Sequence, residues 1–396
     1  MRVLAVGNMY PPHHLGGYEL VWQGAARHLR AAGHTVRVLV ADHREPGVGA
    51  AEEESDVHRD LRWYWADHAF PRRSLRERVV LERHNAAVLE RHLEELSPDV
   101  VSWWAMGGMS LGLIERVRRA GLPAAGFVHD DWMLYGPQVD AWMSWRGPRA
   151  RAVAERVTGL PARVDLAGAA RWMFVSAFIR DRALAAHPGL ADVGIAHSGI
   201  DPALIAPAPE REWGWELLAV GRIDERKGLG VAVAALAHLP AAATLTVAGA
   251  GDAAYLARLT AEVGRLGLGG RVRFLGAVPR HELPALYAGH DALVFPVTWE
   301  EPWGLVPLEA MAAGRPVVAS GTGGSAEYLR DGENALLSPP GDASALAAAL
   351  TRLAADAGLR ARLRPAGLET ARVHTAPRFN VSVERTLAAV AGAGPG

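Results

Sequence analysis

The chain has 396 residues, of which 50% are hydrophobic, enough to form the cores of two or three domains. It contains no cysteine, which excludes disulfide bonds, thiolate zinc sites and a cysteine nucleophile, and fits a reducing cytoplasm. Its formal net charge of -1 at pH 7 gives no sign of a basic surface, so no nucleic-acid partner is expected.

The first predicted element is a short buried strand at residues 2–6, in Met1-Arg-Val-Leu-Ala-Val-Gly-Asn8. Its apolar run is too short for a secretory signal and has no cleavage site. Elsewhere, no apolar segment approaches the roughly 20 residues that a membrane-spanning helix needs. We therefore predict a cytoplasmic protein without a transmembrane segment, and the sequence leaves its oligomeric state open.

The first half of the chain alternates strand-like apolar runs with helical patterns. After the strand at 2–6 and a helix near 19–32, further strands are predicted at 35–41, 100–104, 124–129, 172–176 and 193–197. Short apolar strands separated by helices are typical of a parallel sheet that is covered on both faces. Residues 1–200 are therefore predicted to form one Rossmann-like domain.

A proline-rich segment at 201–212, with Pro202, Pro207 and Pro209, is predicted to link two domains. The same alternation then restarts, with strands predicted at 215–221, 243–249, 271–276, 292–296, 316–320 and 335–338. We predict a second Rossmann-like domain at 213–375 and a C-terminal helix or tail at 376–396 that packs back towards the first domain. Because ligands of such sheets bind at the carboxyl ends of the strands, a site is expected in a cleft between the domains.

The loop after the predicted strand at 292–296 has the features of an anion-binding helix start. Pro307 suits the first position of a helix, which Gly314 would end. The amides of Trp303, Gly304 and Leu305 would then lack partners within the helix and form a cradle for oxygen-rich ligands.

Two glutamates, Glu301 in this loop and Glu309 in the helix, are eight residues apart. Eight helical residues rise about 12 Å, so the two carboxyl groups do not share a proton across one glycosidic bond. Two acceptors at that separation suit the hydroxyls of two different rings. The alternative for Glu309 alone is an exposed helix residue that pairs with an arginine.

Of the 42 lysine and arginine residues, the only lysine is Lys227, in Gly221-Arg-Ile-Asp-Glu-Arg-Lys-Gly228. Lysine carries a compact point charge on a flexible stem, whereas arginine is a wide planar fork. A retained lysine after a predicted strand indicates a position where a point charge reaches phosphate oxygens. The alternative is chance survival in a GC-rich gene.

The first half carries weaker signals at its strand ends. Gly16 and Gly17 follow the first strand and open a helix, where backbone amides can approach a phosphate closely. His129, Asp130 and Asp131 follow the strand at 124–129, but adjacent side chains splay apart on an extended chain, so we predict no metal site there. His129 alone has the alternative of a structural histidine bonded to the backbone.

Aromatic residues are concentrated in the first half of the chain, where they are available to pack against a sugar ring or an apolar aglycone. Most tryptophans are expected in the core. Asp130, Trp132, Tyr135 and Trp142 are predicted to contact an acceptor.

The stretch from Glu301 to Glu309 resembles the Glu-x₇-Glu signature of retaining glycosyltransferases of family 4, which have the GT-B fold of two Rossmann-like domains. The resemblance is dense over 217–340 and includes the segment around Lys227. Two positions depart from the family pattern: Trp303 stands where phenylalanine is usual, which is expected to narrow or extend the sugar pocket, and Ser198 replaces an asparagine.

The resemblance implies roles for the residues above. The diphosphate of the donor would be bound by Arg222, Lys227, Gly16 and Gly17. The donor sugar would be held by Glu301 and by the amides of Trp303, Gly304 and Leu305, the ribose by Glu309, and the base by backbone near Val278. His129 and Glu301 are the implied catalytic residues.

The resemblance implies a metal-independent enzyme that moves a sugar, with retention, from a nucleoside diphosphate sugar to a hydroxyl or amine of a small molecule or glycan. No other cofactor is expected. Three alternatives stay open: another GT-B enzyme (a phosphorylase or a sugar-phosphate synthase), an NAD-dependent oxidoreductase, and a non-catalytic nucleotide-sugar binder. Against the oxidoreductase, Gly249-Ala-Gly251 is not extended to G-x-G-x-x-G, and no acidic partner is placed about 20 residues on.

Overall fold

The computed structural model describes residues 1–45, 48, 54–66, 69–145 and 147–393. The chain divides into two compact units. The first contains Met1–His197 together with the C-terminal segment from Phe379, and the second contains Ser198–Arg378. The boundary therefore falls between His197 and Ser198, and residues 201–212 are grouped with the second unit.

The first unit is built on a seven-stranded sheet. Its strands are β1 (Arg2–Val6), β2 (Thr35–Ala41), β3 (Val57–Leu61), β4 (Val100–Trp103), β5 (Ala124–Val128), β6 (Arg171–Phe174) and β7 (Val193–Ile195). They are arranged in the order β3-β2-β1-β4-β5-β6-β7, and all neighbours pair in parallel. The carboxyl ends of all seven strands therefore lie along one edge of this sheet.

Six helices connect these strands. They are α1 (Gly17–Ala31), α2 (Leu75–Leu96), α3 (Gly112–Arg119), α4 (Trp132–Val139), α5 (Pro148–Thr158) and α6 (Ala177–Ala186). The long helix α2 begins at a capping box, in which the Ser74 side chain accepts from the Glu77 amide and the Glu77 carboxylate accepts from the Ser74 amide.

The second unit repeats this architecture with six strands. They are β8 (Glu216–Val220), β9 (Thr244–Ala248), β10 (Val272–Gly276), β11 (Ala292–Phe295), β12 (Val317–Ala319) and β13 (Leu336–Leu337). The order is β10-β9-β8-β11-β12-β13, again with parallel pairing throughout. The helices are α7 (Leu229–Leu236), α8 (Ala253–Arg265), α9 (Leu283–Gly289), α10 (Leu305–Ala312), α11 (Ala343–Ala355) and α12 (Ala357–Val373).

The predicted α/β class and the parallel sheets are confirmed, and each predicted strand lies within two residues of an observed one. The strand β3, with the sequence Val-His-Arg-Asp-Leu, was missed. It is an edge strand, and its polar residues at His58 and Asp60 interrupt the apolar run that marks the other strands. A half-exposed edge strand does not need to be apolar on both faces.

The last helix, α13 (Ala376–Ala393), follows the second unit in sequence but belongs to the core of the first. Phe379, Val383 and Leu387 recur every four residues, so they form one helical stripe, and all three are buried in the cluster that contains Trp22 and Trp104. On its polar side, the Glu384 carboxylate bonds to the ring nitrogens of His28 (2.8 Å) and His34 (3.1 Å). These hydrogen bonds hold the pKa of Glu384 below its usual range.

Leu387→Ala tests the contribution of α13 to the first unit. Removing a fully buried leucine side chain is expected to lower the free energy of unfolding by about 2–5 kcal/mol, because it leaves a cavity. Chemical denaturation followed by circular dichroism measures this loss. The matched control is Arg385→Ala on the exposed face of the same helix, which should change stability by less than about 0.5 kcal/mol. Equal stability of the two variants would contradict the assignment.

Candidate active site

The single lysine of the chain forms a partly buried ion pair in the second unit. Lys227 lies on a short 3₁₀ turn, Glu225–Lys227, that follows β8. Its Nζ lies 2.7 Å from Oε2 of Glu301, and the same oxygen accepts a hydrogen bond of 2.9 Å from the Trp299 indole. The two charged side chains are only 20% and 11% exposed. The sequence predicted a role for each residue but did not predict that they contact each other.

The surroundings of Lys227 are aromatic and tightly packed. Its Nζ lies 5.5 Å from the ring centroid of Trp299 and 5.9 Å from that of Phe295, within cation–π range. The next residue, Gly228, has φ +66, and a Cβ there would collide with the Pro296 carbonyl. A compact ammonium between one carboxylate and two rings is a reason for lysine at this position that does not depend on gene composition.

Arg222, the second residue predicted to bind the diphosphate, lies on the same segment as Lys227 but its side chain approaches Asp224. Its Nη2 is 3.6 Å from Asp224 Oδ2, and its side chain is largely exposed. The Asp224 carboxylate accepts hydrogen bonds mainly from Arg226, and this guanidinium lowers the pKa of Asp224 to about 2. Arg226 in turn lies over the Trp299 ring at 4.6 Å, so a row of basic groups borders Lys227.

The loop from Glu301 to Gly304 is fixed by the loop that follows β12. The Gly324 amide donates to the Glu301 carbonyl at 2.7 Å, and the Tyr328 hydroxyl donates to the Gly304 carbonyl. Gly304 has φ +86 and directly precedes α10, which begins at Leu305. The expected helix start at Pro307 is therefore wrong by two residues, because the left-handed Gly304 turns the chain into the helix earlier.

The ring of Trp303 belongs to the interior of the second unit. It is 3% exposed, donates from Nε1 to the Ser198 carbonyl at 2.9 Å, and contacts Tyr328 and His374. The large residue at this position thus fills the core. Any contribution of position 303 to a ligand site comes from its backbone, and the expected change to the sugar pocket by the indole is not supported.

Glu309 is buried on α10 rather than exposed, so the alternative of a surface helix residue is wrong. Its Oε2 accepts a hydrogen bond of 2.7 Å from Tyr287, and Arg280 approaches Oε1 at 3.9 Å. Burial raises the pKa of Glu309 above its usual range, opposed by the Arg280 charge. Val278, in the loop between β10 and the turn that carries Arg280, is half-buried. Tyr287 and Arg280 were not identified from the sequence, since an apolar helix and an exposed turn carry no distinctive pattern.

In the first unit, Gly16 and Gly17 lie at the start of α1, with open space beside Gly17 and Glu19 Oε2 3.4 Å from a Cβ placed on Gly16. Gly16 precedes the helix in an extended conformation, and a Cβ on Gly17 would meet no atom within 4 Å. A glycine at this position would allow a ligand to approach the first amides of α1 closely.

His129 follows β5 and lies among aromatic rings. It stacks on Tyr18 with the ring centroids 4.4 Å apart, and Phe379 meets it edge-on at 5.5 Å. Desolvation lowers the pKa of His129 to about 3, so the imidazole is neutral at physiological pH. A neutral ring can orient a hydroxyl by hydrogen bonding but does not supply a positive charge.

The next residue, Asp130, accepts a hydrogen bond of 3.0 Å from the Tyr135 hydroxyl. Desolvation raises the pKa of Asp130 to about 6, and the Tyr135 hydrogen bond opposes that rise. Asp131 instead pairs with Arg182 at 2.9 Å. The two adjacent carboxylates therefore have different partners, as expected for side chains that splay apart.

Two of the predicted acceptor contacts are corrected by the structure. Trp132 and Trp142 are both 0% exposed. Trp132 packs against Trp172, and the Trp142 indole donates to the Pro161 carbonyl at 2.8 Å. Both indoles are therefore core residues, as expected for most tryptophans of the chain, and neither side chain is available to an acceptor.

Sequence reasoning missed a glycine pair at the end of β4. A Cβ on Gly107 would collide with the Tyr135 hydroxyl, and the Gly107 carbonyl accepts from the Asn8 side chain at 3.2 Å. Gly108 has φ +78, and its carbonyl accepts from the Tyr64 amide at 2.7 Å. These contacts join the ends of β1, β3, β4 and β5. Two consecutive glycines directly after an apolar strand were the available signal.

Within the described residues, His58, Asp60 and His92 form the one group with metal-ligand spacing. Asp60 and His92 already have other partners, since Arg91 lies 2.7 Å from Asp60 and Arg37 lies 3.2 Å from Nδ1 of His92. Two guanidinium groups at these distances oppose the binding of a cation electrostatically.

In the part of the chain that the structure describes, no helix is long and apolar enough to cross a membrane.

Comparison with known proteins agrees with this geometry. Residues 15–204 match the family described as Glycosyltransferase Family 4, and residues 203–370 match Glycosyl transferases group 1. The chain is 30% identical over 384 residues to a glycogen synthase of Mycobacterium tuberculosis, across 88% of this chain and 85% of that protein.

Solved structures show the same fold. A sucrose-phosphate synthase of Thermosynechococcus elongatus is similar over 100% of both chains, with a TM-score of 0.77 and 21% identity. The Anabaena protein HepE, in complex with UDP and glucose, is similar over 98% of this chain and 100% of its own, with a TM-score of 0.73 and 21% identity.

Tyr135→Phe tests the electrostatic account of Asp130. Loss of the hydroxyl removes a hydrogen bond that stabilises the carboxylate, so the pKa of Asp130 is expected to rise further above its value of about 6. NMR titration of labelled aspartate carboxyl carbons measures this. Tyr255→Phe, in the second unit, is the control and should leave the Asp130 titration unchanged. A fall in the Asp130 pKa in Tyr135→Phe would contradict the account.

Proposed function

Because the chain belongs to family 4 of the glycosyltransferases, with their GT-B fold, we propose that it moves a sugar from a nucleoside diphosphate donor to an acceptor hydroxyl or amine, with retention and without a metal ion. Membership of this family makes it an enzyme that transfers glycosyl groups and replaces the oxidoreductase alternative. The UDP and glucose bound by HepE support a nucleotide-sugar donor for this chain.

The observation that carries the proposal is the ion pair between Lys227 and Glu301. A partly buried ammonium needs a counter-charge, and Glu301 supplies it here at 2.7 Å. A donor diphosphate brings more negative charge than one carboxylate and competes for Lys227. Glu301 is then released to accept hydrogen bonds from hydroxyls of the donor sugar. When Lys227 exchanges Glu301 for the diphosphate, Lys227 thus binds one end of the donor and Glu301 becomes available to bind the sugar at the other end.

The chemical step breaks the bond between the anomeric carbon and a diphosphate oxygen, and the electron pair leaves with the diphosphate. The acceptor oxygen bonds to the anomeric carbon on the same face, and its proton passes to the departing diphosphate. Lys227 and Arg222 meet the charge that grows on the leaving group, which is electrostatic stabilisation of the transition state. In the first unit, the amides at Gly16 and Gly17 suit a phosphate.

On the acceptor side, we assign a positioning role to His129. Its desolvated ring is neutral at physiological pH, and the proton acceptor in this scheme is the diphosphate, so a strong base is not required. Buried Glu309, hydrogen-bonded to Tyr287, is assigned to the ribose. The same charges support the proposal of metal independence, because cations at Lys227 and Arg222 would take the part of a divalent ion.

Substitution of Lys227 tests the diphosphate assignment. Lys227→Ala and Lys227→Arg are both expected to reduce kcat/KM by about 10²–10³-fold, the first by loss of charge and the second because a wide guanidinium fork does not reproduce the point charge of the ammonium group that faces Glu301. The measurement is nucleoside diphosphate release from whichever UDP-, GDP-, ADP- or TDP-sugar raises the melting temperature of the wild-type protein.

Two controls accompany this experiment. Lys227→Ala leaves Glu301 buried without its partner, so the double variant Lys227→Ala/Glu301→Gln tests whether the loss is one of folding. Arg265→Ala removes an exposed ion pair on α8 and should keep full turnover. Wild-type turnover by Lys227→Ala would overturn the assignment.

Metal independence has its own test. After dialysis against EDTA, turnover is expected to stay within about twofold of the untreated enzyme, because the leaving-group charge is met by side chains. Loss of turnover that Mg²⁺ or Mn²⁺ restores would show instead that a metal ion takes part.

A further inference from the structure

A separate cavity of the first unit lies where β2 and β3 end. It has a volume of ≈ 570 Å³, and its lining includes Asp42, Arg62, Trp63, Trp65, Arg73 and Arg76. Asp42 directly follows β2, the next three residues follow β3, and the last two flank the start of α2. The cavity therefore lies on the sheet edge that also carries His129, and none of its residues was among the predicted site residues.

One wall of the cavity is aromatic. The rings of Trp63 and Trp65 lie 4.7 Å apart at 51°, and His43 approaches each of them at 5.7 Å. Trp63 is 8% exposed and is held in place by the loop around it, whereas Trp65 is half-buried. Such a wall packs well against a flat apolar group or the apolar face of a sugar.

The cavity also carries a net positive charge, because its lining contains three arginines but only two carboxylates, Asp42 and Glu77. Within the described part of the chain, Arg62 and Arg76 pair with no carboxylate, and the Arg73 Nε has no hydrogen-bond partner. This contrasts with Arg27, Arg30 and other arginines of the unit, which form ion pairs. The carboxylate of Glu77, which also lines the cavity, accepts hydrogen bonds from Ser74 in the capping box, and these bonds together with the Arg73 charge lower its pKa.

The cavity is connected to the surroundings of His129 by direct contacts. The Tyr64 amide binds the Gly108 carbonyl at 2.7 Å, and Gly107 packs against the Tyr135 hydroxyl, which donates to Asp130. A ligand in the cavity thus lies beside the contacting loops that follow β3, β4 and β5, and the last of these loops carries the neutral imidazole of His129. This continuity favours a substrate site over an isolated surface patch.

We propose that this cavity is the acceptor subsite and that the acceptor carries an anionic group, carboxylate or phosphate, next to a flat apolar face. The inference rests on the function proposed above, which leaves the acceptor open. Arg62, Arg73 and Arg76 bind the anion through charge-assisted hydrogen bonds, and Trp63 and Trp65 pack on the adjoining ring. The acceptor hydroxyl is then directed towards His129.

Binding of small probes to the full-length protein tests the anion preference. The probes are 4-hydroxybenzoate, its neutral methyl ester and phenyl phosphate, measured by ligand-observed NMR. At least one anion is expected to bind about tenfold more tightly than the ester, since a hydrogen bond to a charged group is worth about one factor of ten. The anion that binds more tightly identifies carboxylate or phosphate, and equal binding of all three probes would overturn the proposal.

Variants locate the binding. Arg62→Gln and Arg76→Gln are each expected to weaken anion binding about tenfold, whereas Arg72→Gln, an exposed neighbour that does not line the cavity, should leave it unchanged. An equal effect of all three substitutions would show a general charge effect and overturn the assignment. Unchanged melting temperatures confirm that the variants are folded.

The donor side separates this inference from the proposed function. Arg62→Gln and Arg76→Gln should keep the melting-temperature increase that the nucleotide sugar gives, and should raise the KM for an anionic acceptor with little change in kcat. If no nucleotide sugar binds to the wild-type protein, the proposed function fails whatever the probes show. If the donor binds and turns over but KM is unaffected by either variant, only the acceptor subsite fails.

Discussion

Parallel strand pairing is the constraint on which the rest of this structure depends. In each unit it brings every strand end, with the loop that follows it, to one edge of the sheet. The apolar strands leave no room for polar chemistry inside the sheet, so the charged and hydrogen-bonding groups collect at that edge. Lys227 and Glu301 in the second unit, and His129 and Asp130 in the first, are all placed by the same rule.

The two edges handle desolvation in opposite ways. In the second unit, the partly buried side chains of Lys227 and Glu301 form an ion pair with each other. In the first, desolvation favours the neutral forms: it lowers the pKa of His129 to about 3 and raises that of Asp130 to about 6. The ion pair of the second unit can exchange one anion for another, whereas the neutral His129 ring is suited to orienting a hydroxyl by hydrogen bonding.

The sequence was informative wherever one local rule decided the outcome. Apolar runs between helices located twelve strands, and Pro307 predicted the start of α10 to within two residues. Where two roles compete for one residue type, the pattern was not enough: Trp132 and Trp142 were predicted to contact an acceptor but are core residues, and the polar strand β3 was not predicted. The Lys227–Glu301 contact, and the cavity lined by Arg62, Arg73 and Arg76, bring together residues that are distant in sequence. No local sequence pattern predicts such contacts.

The position of α13 has a consequence for how the chain matures. His28 and Glu384 are in contact although 356 residues separate them, and the whole second unit is synthesised between them. During synthesis on the ribosome, the apolar groove around Trp22 and Trp104 in the first unit therefore stays uncovered until the second unit and α13 have been translated. A destabilising substitution in α13 would therefore destabilise the unit that is translated first. A chaperone that shields the apolar groove during synthesis would act on that same unit.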